Sequence, residues 1–230
     1  LIGTIVNFLT ILLGGIIGVN IKEGLKEDYK QIIMDSLALI VIVIGLTSAL
    51  KSESILTMIF SLIIGVIIGE SLKIDKKLNK VGEFLERKLG RSDSNFSKGF
   101  VTTSLIFCVG AMAIVGSLES GLTGNHSTLY AKSVIDGITS IVFASTLGIG
   151  VAFSSFAVFL YQGSITILAS FLTDFLIDPV VLEMSAVGGI LISAIGINIL
   201  GLKEIKVSNM LPAIFLPLVF YVVKLIYLSI

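Results

Sequence analysis

The chain has 230 residues, 55% hydrophobic and 14% charged, with 16 basic and 16 acidic side chains and no net charge. Soluble domains carry about 25% charged residues, so this composition, with a mean hydropathy of +1.05, excludes an ordinary soluble domain and describes an integral membrane protein. Zero net charge gives no basic surface for nucleic acid, and the single cysteine, Cys108, excludes an intramolecular disulfide and a cysteine-based zinc cluster.

A membrane-crossing helix needs about 20 mainly apolar residues, and charges mark where such runs stop. Leu1 opens the numbering in place of Met, so a start residue is expected ahead of it. The run LIGTIVNFLTILLGGIIGVNI lacks a basic n-region and does not read as a cleaved signal peptide. The first span is expected over 2–21, the second over 31–50 and the third over 54–72, each closed by a lysine (Lys22, Lys51, Lys73). Residues 73–98 are not membrane. Leu78, Val81, Phe84, Leu85 and Leu89 fall there at helical spacing and predict a short amphipathic helix at the interface, followed by a polar loop.

The fourth span is expected over 99–118. No charge then separates Asp136 from Asp174, a run that fits two spans, over 131–149 and 153–172, with LGIGVAFSS at 147–155 as the Gly-rich break. Spans over 184–202 and 208–228 complete a bundle of about eight; seven spans with a re-entrant piece in 131–172 is the rival. Lys73, Lys76, Lys77, Lys80, Arg87, Lys88, Arg91 and Lys98 make 73–98 cytoplasmic by the positive-inside rule. Loops 22–30, 150–153 and 203–207 then also lie inside, 173–183 lies outside with Asp174, Asp178 and Glu183, and both termini lie outside. Tryptophan is absent, which leaves the interfacial role to five tyrosines.

Two triplets of spans, 1–72 and 99–172, flank the cytoplasmic linker 73–98, and the last two spans occupy 173–230. An odd number per triplet means opposite directions, the arrangement of an inverted repeat. Tyr29 to Asp35 echoes Tyr130 to Asp136, and Ile40-Val41 echoes Ile141-Val142. Gly14-x-x-x-Gly18 and Gly65-x-x-x-Gly69 let helix backbones approach closely, with plain packing as the favoured reading. Asn20 in IGVN and Asn198 in IGIN stand just before a cytoplasmic lysine, where helix capping outweighs ligand contact.

Ionisable groups at membrane depth usually face a cavity or a partner. Asp136 leads into the long uncharged run and shares a helix face with Lys132, so a working acid and a structural ion pair are weighed evenly. Glu119 ends span four and reads slightly better as an exposed loop acid. His126, the only histidine, reads as a solvated loop residue rather than a proton relay. Gln162 in LYQGS needs partners if buried in lipid, and Ser140, Ser145, Thr146, Ser164 and Thr166 offer hydroxyls in the same spans, although serines and threonines often bond back to their own helix. Asn7 and Asn209 are further polar points, and Glu70 reads as interfacial. Pro212 and Pro217 would kink the last span or free carbonyls. Cys108 reads as a packing residue. No His-Glu-x-x-His, Gly-x-Ser-x-Gly or P-loop motif is present, so no enzyme, cofactor or metal site is expected.

Taken together, GTIVNFLTILLGGIIG, FCVGAMAIVGSLESGLTGN, KSVIDG, ASTLG-x-G, LYQG and IGINILGLKEIKVSNMLPA resemble the YqgA/YdfK-like family of multi-pass bacterial inner-membrane proteins, a domain of unknown function. The resemblance covers essentially the whole chain. It implies a bacterial plasma-membrane location and carries over Asn7, Gly116, Gly121, Lys132, Asp136, Gly137, Gln162, Gly163, Asn198, Asn209 and Pro212 as motif positions, without an activity. Ala111 departs from the family, which often has Pro there, and a straighter span four is expected as a result.

The expected architecture is an all-α polytopic bundle, an inverted three-span repeat plus two C-terminal helices. The expected function is a secondary transporter or ion-conducting protein for a small solute or cation. Asp136, Gln162, Asp35, Asn7, Lys132, Glu119, Ser140, Asn198 and Asn209 are its candidate pathway residues. The alternative is a membrane scaffold or regulatory subunit that docks a partner or anionic lipid through 73–98. The glycine seams also permit a homodimer.

Overall fold

Lipid offers no partner for a free backbone amide, so a chain this apolar crosses as helices. A computed structural model of the protein describes residues 1–22, 27–78, 80, 84, 96–108 and 110–228, and its regular elements are all helical. They are α1 (Ile2–Lys22), α2 (Glu27–Ala49), α3 (Ile55–Leu72), α4 (Phe96–Cys108), α5 (Ala111–Leu122), α6 (Ser127–Leu147), α7 (Gly150–Ile167), the single turn α8 (Ala169–Leu172), α9 (Asp178–Ile199), a 3-10 segment (Val207–Phe215) and α10 (Leu216–Leu228). Among the described residues, six stretches are long and apolar enough to cross a membrane: Ile2–Ile21, Gln31–Ala49, Ile55–Leu72, Gly150–Ile167, Asp178–Ile199 and Val207–Tyr227. The pair Phe96–Cys108 and Met112–Leu122 passes the same test together, bent by 62°.

The boundaries have local causes. Ser54 caps α3 by accepting from the Thr57 amide, and Lys73, at φ 52°, closes it. Gly148, at φ 82°, ends α6, and Asp178-Pro179 opens α9.

The chain falls into two compact units. The first holds Leu1–Leu37, Lys77–Cys108 and Met112–Ser170. Here α1 runs parallel to α6, because Gly3 meets Leu129, Gly14 meets Gly137 and Ser140, and Gly18 meets Ile141 and Ala144. It runs antiparallel to α7, because Gly15 meets Ala152 while Thr4 faces Thr166. The two ends of the α4–α5 pair pack at opposite ends of α7: Phe96 at Gly150 and Gly121 at Thr166. At 1.5 Å per residue those points on α7 are about 24 Å apart.

The second unit holds Ala38–Lys76, Val109–Ala111 and Phe171–Ile230. Gly45 and Gly189 pack against each other's helices to join α2 and α9, while Gly65 and Gly69 receive Ala213 and Asn209 of the 3-10 segment. Large apolar side chains point the other way: Val43 is 62% and Ile67 61% exposed, while Ser61 is buried. Small residues inside and branched aliphatics outside suit a lipid solvent, where close backbone approach rather than hydrophobic burial holds helices together.

Several expectations are corrected. Span four is broken, despite Ala111, because Gly110 takes φ +134°. Glu183 belongs to α9, not to an outer loop, and is 9% exposed. The last span begins as a 3-10 segment containing Pro212. By contrast, the break expected within 131–172 stands at Gly148, between α6 and α7. Of the amphipathic helix, Leu78 and Phe84 are helical, while Val81, Leu85 and Leu89 lie outside the described residues.

Candidate functional site: a polar cluster on α1, α6 and α7

The parallel seam between α1 and α6 and the antiparallel seam between α1 and α7 bring one polar residue of each helix together. Asn7 stands in the second turn of α1 and Gln162 near the end of α7, and both are 0% exposed. Asn7 Nδ2 donates to Asp136 Oδ2 at 3.1 Å and to Gln162 Oε1 at 3.2 Å. Lys132 Nζ, one turn before Asp136 on α6, donates to Oδ1 at 2.9 Å and lies 2.8 Å from Oδ2. Lys132 is 7% and Asp136 4% exposed. A desolvated pair of this kind is costly unless well hydrogen-bonded, and Asn7 supplies the third contact to the carboxylate.

The pattern of donors follows from chemistry. An ionised carboxylate only accepts, so Asn7 must turn its amide nitrogen to Asp136. That nitrogen then reaches the Gln162 carbonyl. Two atoms of the cluster are left without a hydrogen-bond partner: Asn7 Oδ1, an acceptor, and Gln162 Nε2, a donor. Buried polar atoms are rarely left so.

The nearby hydroxyls do not serve Gln162. Ser133 donates to the Leu129 carbonyl, Ser155 to Ala152, Ser145 to Val142, Thr146 to Phe143 and Ser164 to Leu160. Thr166 shares a hydrogen with Thr4 at 3.5 Å. Ser140 donates to Gly137 at 2.8 Å and across the seam to Ile11 at 3.2 Å, which makes it a clip between α6 and α1.

The other sequence candidates have local partners. Asp35 accepts from Gln31, one turn earlier on α2. Glu119 accepts from Thr128 at 2.6 Å, tying α5 to α6 across their turn, and His126 Nδ1 pairs with Ser120 Oγ at 2.9 Å. Asn198 holds Ile205 through both its amide atoms and so fastens loop 200–205. Asn209 Nδ2 donates to Glu70 Oε2 and Oδ1 accepts from the Asp75 amide, which ties the end of α3 to the 3-10 segment. Among the described residues no group of three His, Cys, Asp or Glu side chains converges as a metal site would.

The partners of Asn7, itself a candidate, and the role of Glu183 escaped the sequence. Asn7 is the hub of the cluster, although a lone Asn in an apolar run gives no sign of its partners. Glu183 accepts from Ser52 Oγ and the Glu53 amide, each at 2.7 Å, and from the Ser54 amide at 3.0 Å. Its position one residue ahead of an apolar run was the available signal, masked by the acids Asp174 and Asp178 before it.

A family model described as "Protein of unknown function (DUF554)" matches residues 2–222. The chain is 36% identical over 220 residues to the uncharacterized membrane protein YdfK of Bacillus subtilis (strain 168), covering 94% of this chain and 93% of that protein. It is 30% identical over 220 residues to the uncharacterized protein YqgA of Escherichia coli (strain K12), covering 94% of each. No solved structure matches the chain.

Proposed function

The chain belongs to the DUF554 family of the membrane proteins just described, and we propose that it is a secondary transporter or ion-conducting protein of the bacterial plasma membrane whose polar site is formed by α1, α6 and α7. One observation carries this reading. Two fully buried amides on different helices each keep an unpaired atom beside a buried Lys132–Asp136 pair. Polar groups at membrane depth are costly, and they are typically found along solute or ion paths. A purely structural cluster would be expected to close its own hydrogen bonds.

Eight spans suit this geometry: the six apolar helices, the bent α4–α5 pair, and α6. Helix α6 follows α1 from Gly3 to Gly18, so it shares the depth of α1 although it is more polar. The N-terminus, the turn at 122–127 and the end of α7 gather at one end of the first unit, and Phe96, next to the basic segment, lies at the other. With 73–98 cytoplasmic, this supports an outer N-terminus. An inverted-repeat origin rests on the echo of Asp35 in Asp136, with the two acids differently employed today. Docking through 73–98 is the second reading; most of that segment lies outside the described residues, so the cluster takes precedence.

The test is water access. In a Cys108→Ser background, Asn7→Cys and Gln162→Cys are treated from each side with a water-soluble maleimide, which reacts only with a thiolate formed in water. Labelling of either position supports a path. Both sealed from both sides, in protein that still elutes as a single folded species, overturns it.

A further inference from the structure

The charge balance of the cluster speaks to what it takes, and this inference rests on the transport reading above. Both oxygens of Asp136 are engaged by Lys132, and one of them also by Asn7. The sum of the two charges is zero. An entering cation would meet an ammonium already seated on the carboxylate, and an entering anion would meet the carboxylate. At low dielectric either encounter is severe, because like charges repel with little screening there.

What the cluster leaves open is neutral. Among the described residues of α1, α6 and α7, the buried side-chain atoms without a partner are Asn7 Oδ1 and Gln162 Nε2. They are of opposite kind, one acceptor and one donor, and the carboxylate of Asp136 fixes which is which. Packing is also open at the next residue of α7. Gly163, next to Gln162, is buried, yet a Cβ built on it would meet no heavy atom within 4 Å. By contrast, Gly14, Gly15, Gly18, Gly121 and Gly150 are all pressed against neighbouring helices.

We infer that the site takes a small uncharged molecule with a hydrogen-bond donor beside an acceptor, of the primary amide or urea type, and not an ion. The N–H of such a molecule answers the Asn7 carbonyl, and its C=O answers the Gln162 amide. Lys132 thus acts as a filter: it cancels the charge that would otherwise draw cations to Asp136.

The experiment uses the full chain in proteoliposomes. Entry of acetamide and urea is followed by stopped-flow light scattering, and Na+, K+ and Cl− passage by electrical current across bilayers containing the same protein. The expected result is amide entry about tenfold or more above empty vesicles, without ionic current. Gln162→Leu loses that gain through one missing donor, and Lys132→Met acquires a cation current. Ionic current in the unaltered protein without amide entry overturns the inference and leaves the transport reading standing. Entry of neither overturns both. Amide entry that Gln162→Leu leaves unchanged, or passage of water alone, overturns the assignment of the site. Should Lys132→Met fail to fold, the measurements on the unaltered protein and on Gln162→Leu decide the matter.

Discussion

Asn7 and Asp136, 129 residues apart in sequence, are joined by a 3.1 Å hydrogen bond from Nδ2 to Oδ2. The bond couples α1 to α6 at the point where Lys132 also reaches the carboxylate. Replacing Asn7 by Leu keeps much of its volume and deletes the donor. The expected loss is about 1–3 kcal/mol, that of a hydrogen bond to a charged group in a buried place. Asn7→Asp is expected to lose more, because it sets a second carboxylate against the first. Thermal unfolding in mild detergent, followed by size-exclusion chromatography, ranks the three proteins. Equal stability of Asn7→Asp and the unaltered chain would mean that the contact is not formed.

Lys132 and Asp136 are predicted to be strongly non-additive. Lys132→Ala alone leaves a buried carboxylate without its cation and should cost about 3–5 kcal/mol. Replacing both, as Lys132→Met with Asp136→Leu, removes the desolvation penalty together with the attraction and should restore much of that loss. The double-mutant cycle gives the coupling directly. A coupling near zero would place the pair in water rather than in the helix seam.

The sequence made the helices legible and the cluster only half so. Charges at Lys22, Lys51 and Lys73 ended the apolar runs close to where α1, α2 and α3 end, because a charge is expensive in lipid whatever the packing. The glycine pairs at 14 and 18 and at 65 and 69 showed the seams for the same reason: close approach demands a missing side chain. Asp136 and Lys132 could be paired by their spacing on one helix. Their meeting with Asn7 and Gln162 could not, since it depends on how α1 sets its turns against α6 and α7. The break at Gly110 was hidden because Ala111 suggested a straight helix, while the conformation of its neighbour decided otherwise.

The glycines divide into two classes with opposite expected behaviour. A Cβ at Gly14 would overlap Ser140 Oγ and the Gly137 carbonyl, and one at Gly69 would overlap the Asn209 carbonyl. Gly14→Leu and Gly69→Leu should therefore force the seams apart, at a cost of about 1–3 kcal/mol or more. Gly163→Ala meets open space and trades a helix-weakening glycine for alanine, so it should be neutral or stabilising by about 0.5–1 kcal/mol. Unfolding midpoints of the three variants check the division. A Gly163→Ala protein as damaged as Gly14→Leu would show that the space beside Gly163 is filled.

Glu183 is predicted to work as a clamp on the start of α3 rather than as part of a path. Its carboxylate accepts from the Glu53 and Ser54 amides and from Ser52 Oγ, at the end of the helix where the backbone dipole favours negative charge. Ser52 Oγ also accepts from the Ser54 amide and Ser54 Oγ from the Thr57 amide, so the Glu53 amide depends most on Glu183. Glu183→Ala leaves two backbone donors with less than they had and should cost about 1–3 kcal/mol. Glu183→Gln keeps a carbonyl for the amides and an NH2 that the Ser52 hydroxyl can accept, so its cost should be about half as great or less, the charge assistance alone being lost. The readout that separates a local clamp from general destabilisation is hydrogen exchange at residues 53 and 54. Exchange there should quicken in Glu183→Ala well before the interior of α9 does, and should stay slow in Glu183→Gln. Uniform quickening along α9 in both variants would instead make Glu183 a member of the helix core, with the α3 cap standing without it.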